Sequence, residues 1–223
     1  DLTAVAEAIQ FRYEGDAFKR IIYTESHDEV ANGKARVPEE IAPGEADTLF
    51  ARQRSTIGAA LVFTTPGIPM IFQGQEFLED GWFDDHDPLD WSKKWKHAGI
   101  KTLYGDLISL RRNLAGQTRG LSGQHVDVTH LDDENKLLAF RRWEFGGPGD
   151  DVVIVANFAN RAHEAYDLTF PHDGVWRLRL NSGDPQYDPG FPETAAGDLE
   201  VLDNQATIAI GPYNVLIYSQ DVA

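Results

Sequence analysis

Cysteine is missing from all 223 residues, so disulfides, thiolate metal sites and thiol nucleophiles are excluded. Methionine occurs once, at Met70, and none opens the chain, which reads as beginning inside a longer protein. The first residues, DLTAVAEAIQ, carry acids, no basic region and no long apolar core, so no secretory leader is read there. Long hydrophobic runs are scarce as well. The longest, Gly58 to Phe72, is cut by Thr64-Thr65-Pro66-Gly67 and by Pro69, and is no bilayer span. Basic residues are few: 20 stand against 36 acidic ones, a formal net charge of −16. Phosphate would be repelled, so neither nucleic acid nor an anionic membrane is an expected partner. A neutral ligand such as a sugar, or a cation, suits this surface, and solubility alone explains the balance equally well. The expected setting is cytoplasmic.

What is present supports a packed core, with 42% hydrophobic and 11% aromatic residues. Leu2, Val5, Ala6 and Ile9 recur at helical spacing. Arg20 to Tyr23 reads as a strand buried on both faces. A second helix is expected from about Glu45 to Val62, with Leu49, Phe50, Gln53 and Ile57 on its apolar side. Ile68 to Phe72 is a second strand candidate. A long aromatic and acidic loop, Gln73 to Trp95, then leads to a third helix on Ile100, Leu103, Tyr104, Leu107, Ile108 and Leu110. Such alternation signals a parallel sheet with crossover helices. Two strands make no stable parallel sheet alone, so residues 1–115 read as the end of a larger α/β unit. Past a boundary near Asn113 to Gly123 the texture changes, and residues 116–223 read as an all-β unit. Short strands over Val126–Val128, Leu137–Trp143, Val152–Phe158, Ala165–Phe170, Val175–Leu180, Ala206–Ile210 and Val215–Tyr218 predict an antiparallel sandwich.

The chemistry concentrates in YTESHDEV, Tyr23 to Val30, at the end of the first strand. His27 and Asp28 lie where α/β barrels carry function, and Glu76 lies just past the second strand. Such side chains exchange hydrogen bonds with sugar hydroxyls, while Trp82, Phe83 and Trp91 are available to cover apolar sugar faces. On spacing alone, a His-Asp pair reads equally as a cap for the following loop. Glu25, Glu29 and Lys34 either line an acceptor path or are solvated loop charges. Asp84 to Asp87, DDHD, lacks an EF-hand pattern and reads as an acidic surface loop. No metal and no cofactor are expected.

The segment ESHDEVANGK resembles the end of the seventh barrel strand of the α-amylase superfamily of glycoside hydrolases. His-Asp followed by Glu-Val and a nearby Gly-Lys looks most like 1,4-α-glucan branching enzymes. TTPGIPMIFQGQEF is similar to that superfamily's eighth strand, DPLDW to the loop after it, DLISLRRN to its eighth helix, and the remainder to its all-β C-terminal domain. The resemblance implies the last two strands and helices of a TIM (β/α)8 barrel over 1–115, then a β-sandwich over 116–223. It implies an α-glucan substrate of the starch or glycogen type, with branching and hydrolysis not separable from these residues. Asp28 maps to the carboxylate that stabilises the transition state, and His27 to the histidine that binds hydroxyls at the cleavage point. Glu76, Trp82 and Lys34 are further substrate-cleft candidates; a structural role for Glu76, pairing with an arginine at the barrel rim, is the favoured reading.

No carboxylate here matches the family's nucleophile or general acid, which belong to its fourth and fifth strands. The chain alone is therefore expected to be inactive, although its parent is an enzyme. Two non-catalytic roles compete for the β unit. It binds glucan through Trp143, Trp176 or Tyr187, or it covers and stabilises the barrel, with those aromatics as packing residues. Apolar surface is expected on Ile21, Ile22, Ile71 and Phe72, and with it self-association.

Overall fold

A computed structural model describes residues 1–222. Helix α1 (Leu2–Gln10) starts on Asp1, whose carboxylate accepts from Thr3 N, and buries Leu2, Ala6 and Ile9. A two-residue strand β1 (Ile21–Ile22) leads through short helices α2 (His27–Ala31) and α3 (Val37–Ile41) to α4 (Leu49–Thr64). Strand β2 (Ile68–Pro69) follows, then the long loop, α5 (Lys93–Lys96) and α6 (Ala98–Arg111). Strands β1 and β2 pair in parallel, with Ile68 N donating to Arg20 O and Met70 N to Ile22 O, both at 2.9 Å. The nitrogen of Pro69 points out of this ladder, so the missing N–H removes no bond.

Two expectations need correction here. Strand β1 is not buried on both faces: Ile21 is 57% exposed, because β2 is its single neighbour among the described residues. On α4, Leu49 and Phe50 are exposed, while Ala51, Gln53, Ile57, Ala59, Ala60 and Phe63 are buried. The helix runs two residues past the expected Val62 and turns a different stripe inward.

The second half is antiparallel. Strands β3 (His125–Asp132), β4 (Leu137–Trp143), β5 (Val152–Asn157), β7 (Gly174–Asn181), β8 (Leu199–Val201) and β10 (Asn214–Ser219) form one sheet. Their order is β3-β4-β5-β10-β7-β8, and β6 (His163–Thr169) pairs with β9 (Gln205–Ile210) as a separate ribbon. The unbroken apolar runs of β5 and β10 follow from burial on both faces. Val152, Ile154, Ala156, Val215 and Ile217 face the helices, and Val153, Val155, Leu216 and Tyr218 face the ribbon. Trp176, fully buried, fills the ribbon side with Phe170.

Helices and sheet share one continuous core, in which Leu2, Ala60, Phe63 and Leu103 pack with Phe140, Ile154 and Ile217. Three arginines bolt this junction at the C-terminus of α4, where backbone carbonyls lack helical partners. Arg111 donates to the carbonyls of Phe63, Thr65 and Gly67, and Arg20 to Pro66 and to Ala8 and Ile9 at the end of α1. Arg142, on β4 and fully buried, donates to Thr64, His125, Leu121 and Gly123. Burial pulls Arg111 down to about 10 and Arg142 well below its ordinary value. No helix among the described residues is long and apolar enough to cross a membrane.

Candidate functional site

Four residues separate the end of β1 from α2, and the turn between them sets the site. Ser26 Oγ accepts from Glu29 N at 3.4 Å and is the N-cap of α2. His27 and Asp28 therefore occupy the first turn of the helix, and Ser26 is its cap. Their side chains are 63% and 79% exposed and meet each other, His27 Nε2 to Asp28 Oδ1, at 3.2 Å.

Beneath this exposed pair lies a buried brace. Glu25 and Arg36 are 2% and 1% exposed and meet at 3.2 Å. Glu25 Oε2 also accepts from Val37 N at 2.7 Å. Burial pushes the Glu25 carboxyl up, opposed by the Val37 N–H and by Arg36. Arg36 further donates to Gln73 O at 2.8 Å and Gly81 O at 3.3 Å, and its guanidinium lies 4.1 Å over the Phe72 ring. One side chain thus ties the segment after β1 to the segment after β2. Phe83 continues the stack, edge-on to Phe72 at 5.4 Å and to His27 at 6.4 Å. The sequence offered Glu25 as an acceptor-path residue or a solvated loop charge and did not single out Arg36. The signal available was an acid at a strand end and an arginine eleven residues on.

Glu79 anchors the aromatic loop. It accepts from the backbone N–H groups of Asp80, Gly81 and Asp90 and from Lys93 Nζ. Burial works against its charge, but the Gly81 and Asp90 N–H groups and the Lys93 ammonium hold its carboxyl below the ordinary value. Glu76, on the 3-10 turn Gln75–Phe77, is half-buried and forms no ion pair among the described residues. The arginine expected beside Glu76 pairs with Glu25 instead, and the buried acid nearby is Glu79, two residues past the turn. Lys34 is exposed and pairs with Glu29 at 3.2 Å. Trp82 is 56% exposed, and Trp91, 59% exposed, packs at 5.6 Å on Phe77. Of the three aromatics considered for sugar faces, Phe83 is the one the fold seats against His27. In the DDHD loop Asp84 accepts from the backbone and ring of His86, and no group of three ligating side chains converges among the described residues.

Of the three β-half aromatics considered for glucan, two are buried and one is half-buried. Trp176 is in the core and Tyr187 is buried with its hydroxyl donating to Asp106 Oδ2 at 2.7 Å. Trp143 is half-buried and stacks on His125 at 5.3 Å.

Residues 128–221 match the family described as alpha amylase, C-terminal all-beta domain. The chain is 32% identical over 206 residues to the 1,4-alpha-glucan branching enzyme GlgB of Frankia casuarinae, with 86% of the chain and 24% of that protein covered. It is 30% identical over 177 residues to GlgB of Pseudomonas syringae pv. tomato, covering 76% of the chain and 23% of that protein. Among solved structures, pullulanase from Anoxybacillus sp. LM18-11, complexed with maltotetraose, superposes with a TM-score of 0.67 at 18% identity. That superposition covers 98% of this chain and 30% of the pullulanase, and shows a common fold. The chain spans about a quarter of the length of the branching enzymes it matches. Its antiparallel second half matches the all-β C-terminal domain of the α-amylase family over residues 128–221, and the chain resembles the C-terminal part of an α-amylase superfamily glycoside hydrolase of the branching-enzyme type.

Proposed function

We propose that the chain is part of an α-glucan-active enzyme of the 1,4-α-glucan branching type, acting by retaining glycoside chemistry on starch- or glycogen-like substrate. The observation that carries this is His27 and Asp28, side by side on a braced strand-end helix, in a chain similar to branching enzymes over most of its length. Residues 1–115 are the C-terminal portion of the catalytic (β/α)8 barrel in this reading, and residues 116–223 its all-β companion. Asp28 serves as an anion: it positions the sugar and stabilises positive charge developing at the ring. His27 donates to hydroxyls whose hydrogen bonds strengthen as the ring flattens. The Glu25–Arg36–Phe72 brace holds the pair rigid from below. Phe83 offers an apolar face beside His27, and Glu76, Trp82 and Lys34 line the approach.

The nucleophile and general acid are supplied by another part of the parent, so the 223-residue chain neither cleaves nor transfers glucan. The apolar surface of Ile21, Ile68 and Ile71 makes the chain self-associate when those parts are absent. The β half stabilises the helical half through the shared core. Incubating the purified chain with amylose and following iodine absorbance and reducing ends tests this. No change is expected, and Asp28-dependent turnover would overturn the division of labour.

A further inference from the structure

A cleft of about 310 Å³ opens where the helical half meets the β half, away from the His27–Asp28 helix in sequence and lined by different elements. Its walls come from α4, from the α5–α6 junction and from the loop after β7. Trp95 stands at its edge, 76% exposed, the largest exposure among the chain's large apolar side chains. The Lys94 ammonium lies 5.1 Å over one face of its ring, and the rest of the indole is left hydrated.

The cleft is built rather than incidental. Gly99 allows it: a Cβ there would lie 2.2 Å from Tyr187 O, so only glycine lets the loop seat on α6. The Tyr187 hydroxyl pins the loop to Asp106 at 2.7 Å. Asp188 fixes the other side by accepting from Arg52 Nε at 2.6 Å, and both are largely buried. His97, 6% exposed, meets Asp47 at 3.2 Å. Gln186 is exposed at the rim, and its side-chain amide has no hydrogen-bond partner among the described residues. The result is one free aromatic face beside fixed polar groups and one uncommitted amide. An indole face covers the C–H face of a pyranose ring, and neighbouring polar groups take up its ring-edge hydroxyls. The cavity is at the small end of ligand sites, which begin at about 300 Å³.

We propose that Trp95 and Gln186 form an accessory binding platform for a short segment of α-glucan, lined by none of the residues of the His27–Asp28 helix. This rests on the α-glucan reading above. Trp95 carries the stacking face, and Gln186 bonds hydroxyls at the ring edge. Arg52 and Asp188 keep the cleft open and rigid without themselves needing to release their pairing.

The test is titration of the intact chain with maltoheptaose, followed by tryptophan fluorescence and calorimetry, together with retardation in glycogen-containing native gels. Trp95→Ala is expected to weaken binding about tenfold or more, and Gln186→Ala several-fold. Both residues are exposed, and an unchanged melting temperature establishes that the variants fold. Arg161→Ala, at an exposed position that lines neither site, should leave this binding intact. Undiminished binding by Trp95→Ala and Gln186→Ala overturns the platform, as does absence of binding by the unmodified chain. The α-glucan reading is decided separately, by whether Asp28→Asn abolishes turnover in the complete polypeptide that carries this chain. Loss of turnover there with no effect of Trp95→Ala on binding would sink the platform alone.

Discussion

Replacing Arg142 with methionine isolates what joins the two halves. The guanidinium is fully buried and donates to four backbone carbonyls: Thr64 at the end of α4, Leu121 and Gly123 in the connection, and His125 on β3. Buried ion pairs are often replaceable by apolar residues at no cost, since both desolvated charges go together. Here the acceptors are backbone carbonyls, which stay behind whatever side chain is placed opposite them. At about 1 kcal/mol net per lost bond, four bonds give roughly 4 kcal/mol. Relief of the buried positive charge offsets part of this, so we expect a loss of about 3 kcal/mol. With a urea slope of about 3 kcal/mol per M for a chain of this size, the unfolding midpoint falls by about 1 M. Far-UV circular dichroism and tryptophan fluorescence should move together, because helices and sheet share one core. Arg161→Met, at an exposed position, should change stability by less than about 0.5 kcal/mol. A midpoint for Arg142→Met within about 0.3 M of the unmodified chain would refute the reasoning and show that the carbonyls find other donors.

Two further outcomes follow from the same structure. Burial lowers the pKa of His97 despite the nearby Asp47, so as pH falls through about 6.5 the unfolded chain takes up the proton first and stability drops. The melting temperature should decline between pH 7.5 and 5.5, and His97→Gln should flatten that decline; an unchanged slope would remove His97 as its source. Light scattering should show the chain larger than a monomer, and Ile21→Lys, at a 57% exposed site, should shift it toward monomer; a monomeric unmodified chain contradicts the self-association.

The all-β half was legible because its strands are short, apolar and separated by strong turn signals. Leu137–Trp143 is observed at the expected bounds, and β5 and β10 begin or end within one residue of theirs. Strand β8 escaped notice since three residues, Leu199–Val201, carry no measurable periodicity. The helical half was harder. Leu49 and Phe50 fit an apolar stripe in sequence, yet the stripe that α4 buries is set by the sheet it packs on, and that lies more than sixty residues away. For the site, His27 and Asp28 could be picked out from local sequence, but what supports them could not. Arg36 reads as one charge in a polar loop, and its role comes from reaching Glu25, Gln73 and Gly81 at once. The confusion of Glu76 with Glu79 has the same origin. Glu76 lies on the 3-10 turn and Glu79 two residues past it, and Glu79 is the one packed against Gly74, which has a positive φ.

The central claim is that Asp28 is the charge-stabilising carboxylate of an α-glucan enzyme whose other catalytic groups come from elsewhere in its parent. Its most direct test is the initial rate of amylose branching by the complete polypeptide that carries this chain, with and without Asp28→Asn. Asparagine keeps the shape and removes the negative charge. The account predicts that the rate falls by at least about a thousandfold while the melting temperature is unchanged, since the Asp28 side chain is 79% exposed. A variant that branches amylose within about tenfold of the unmodified rate would contradict it.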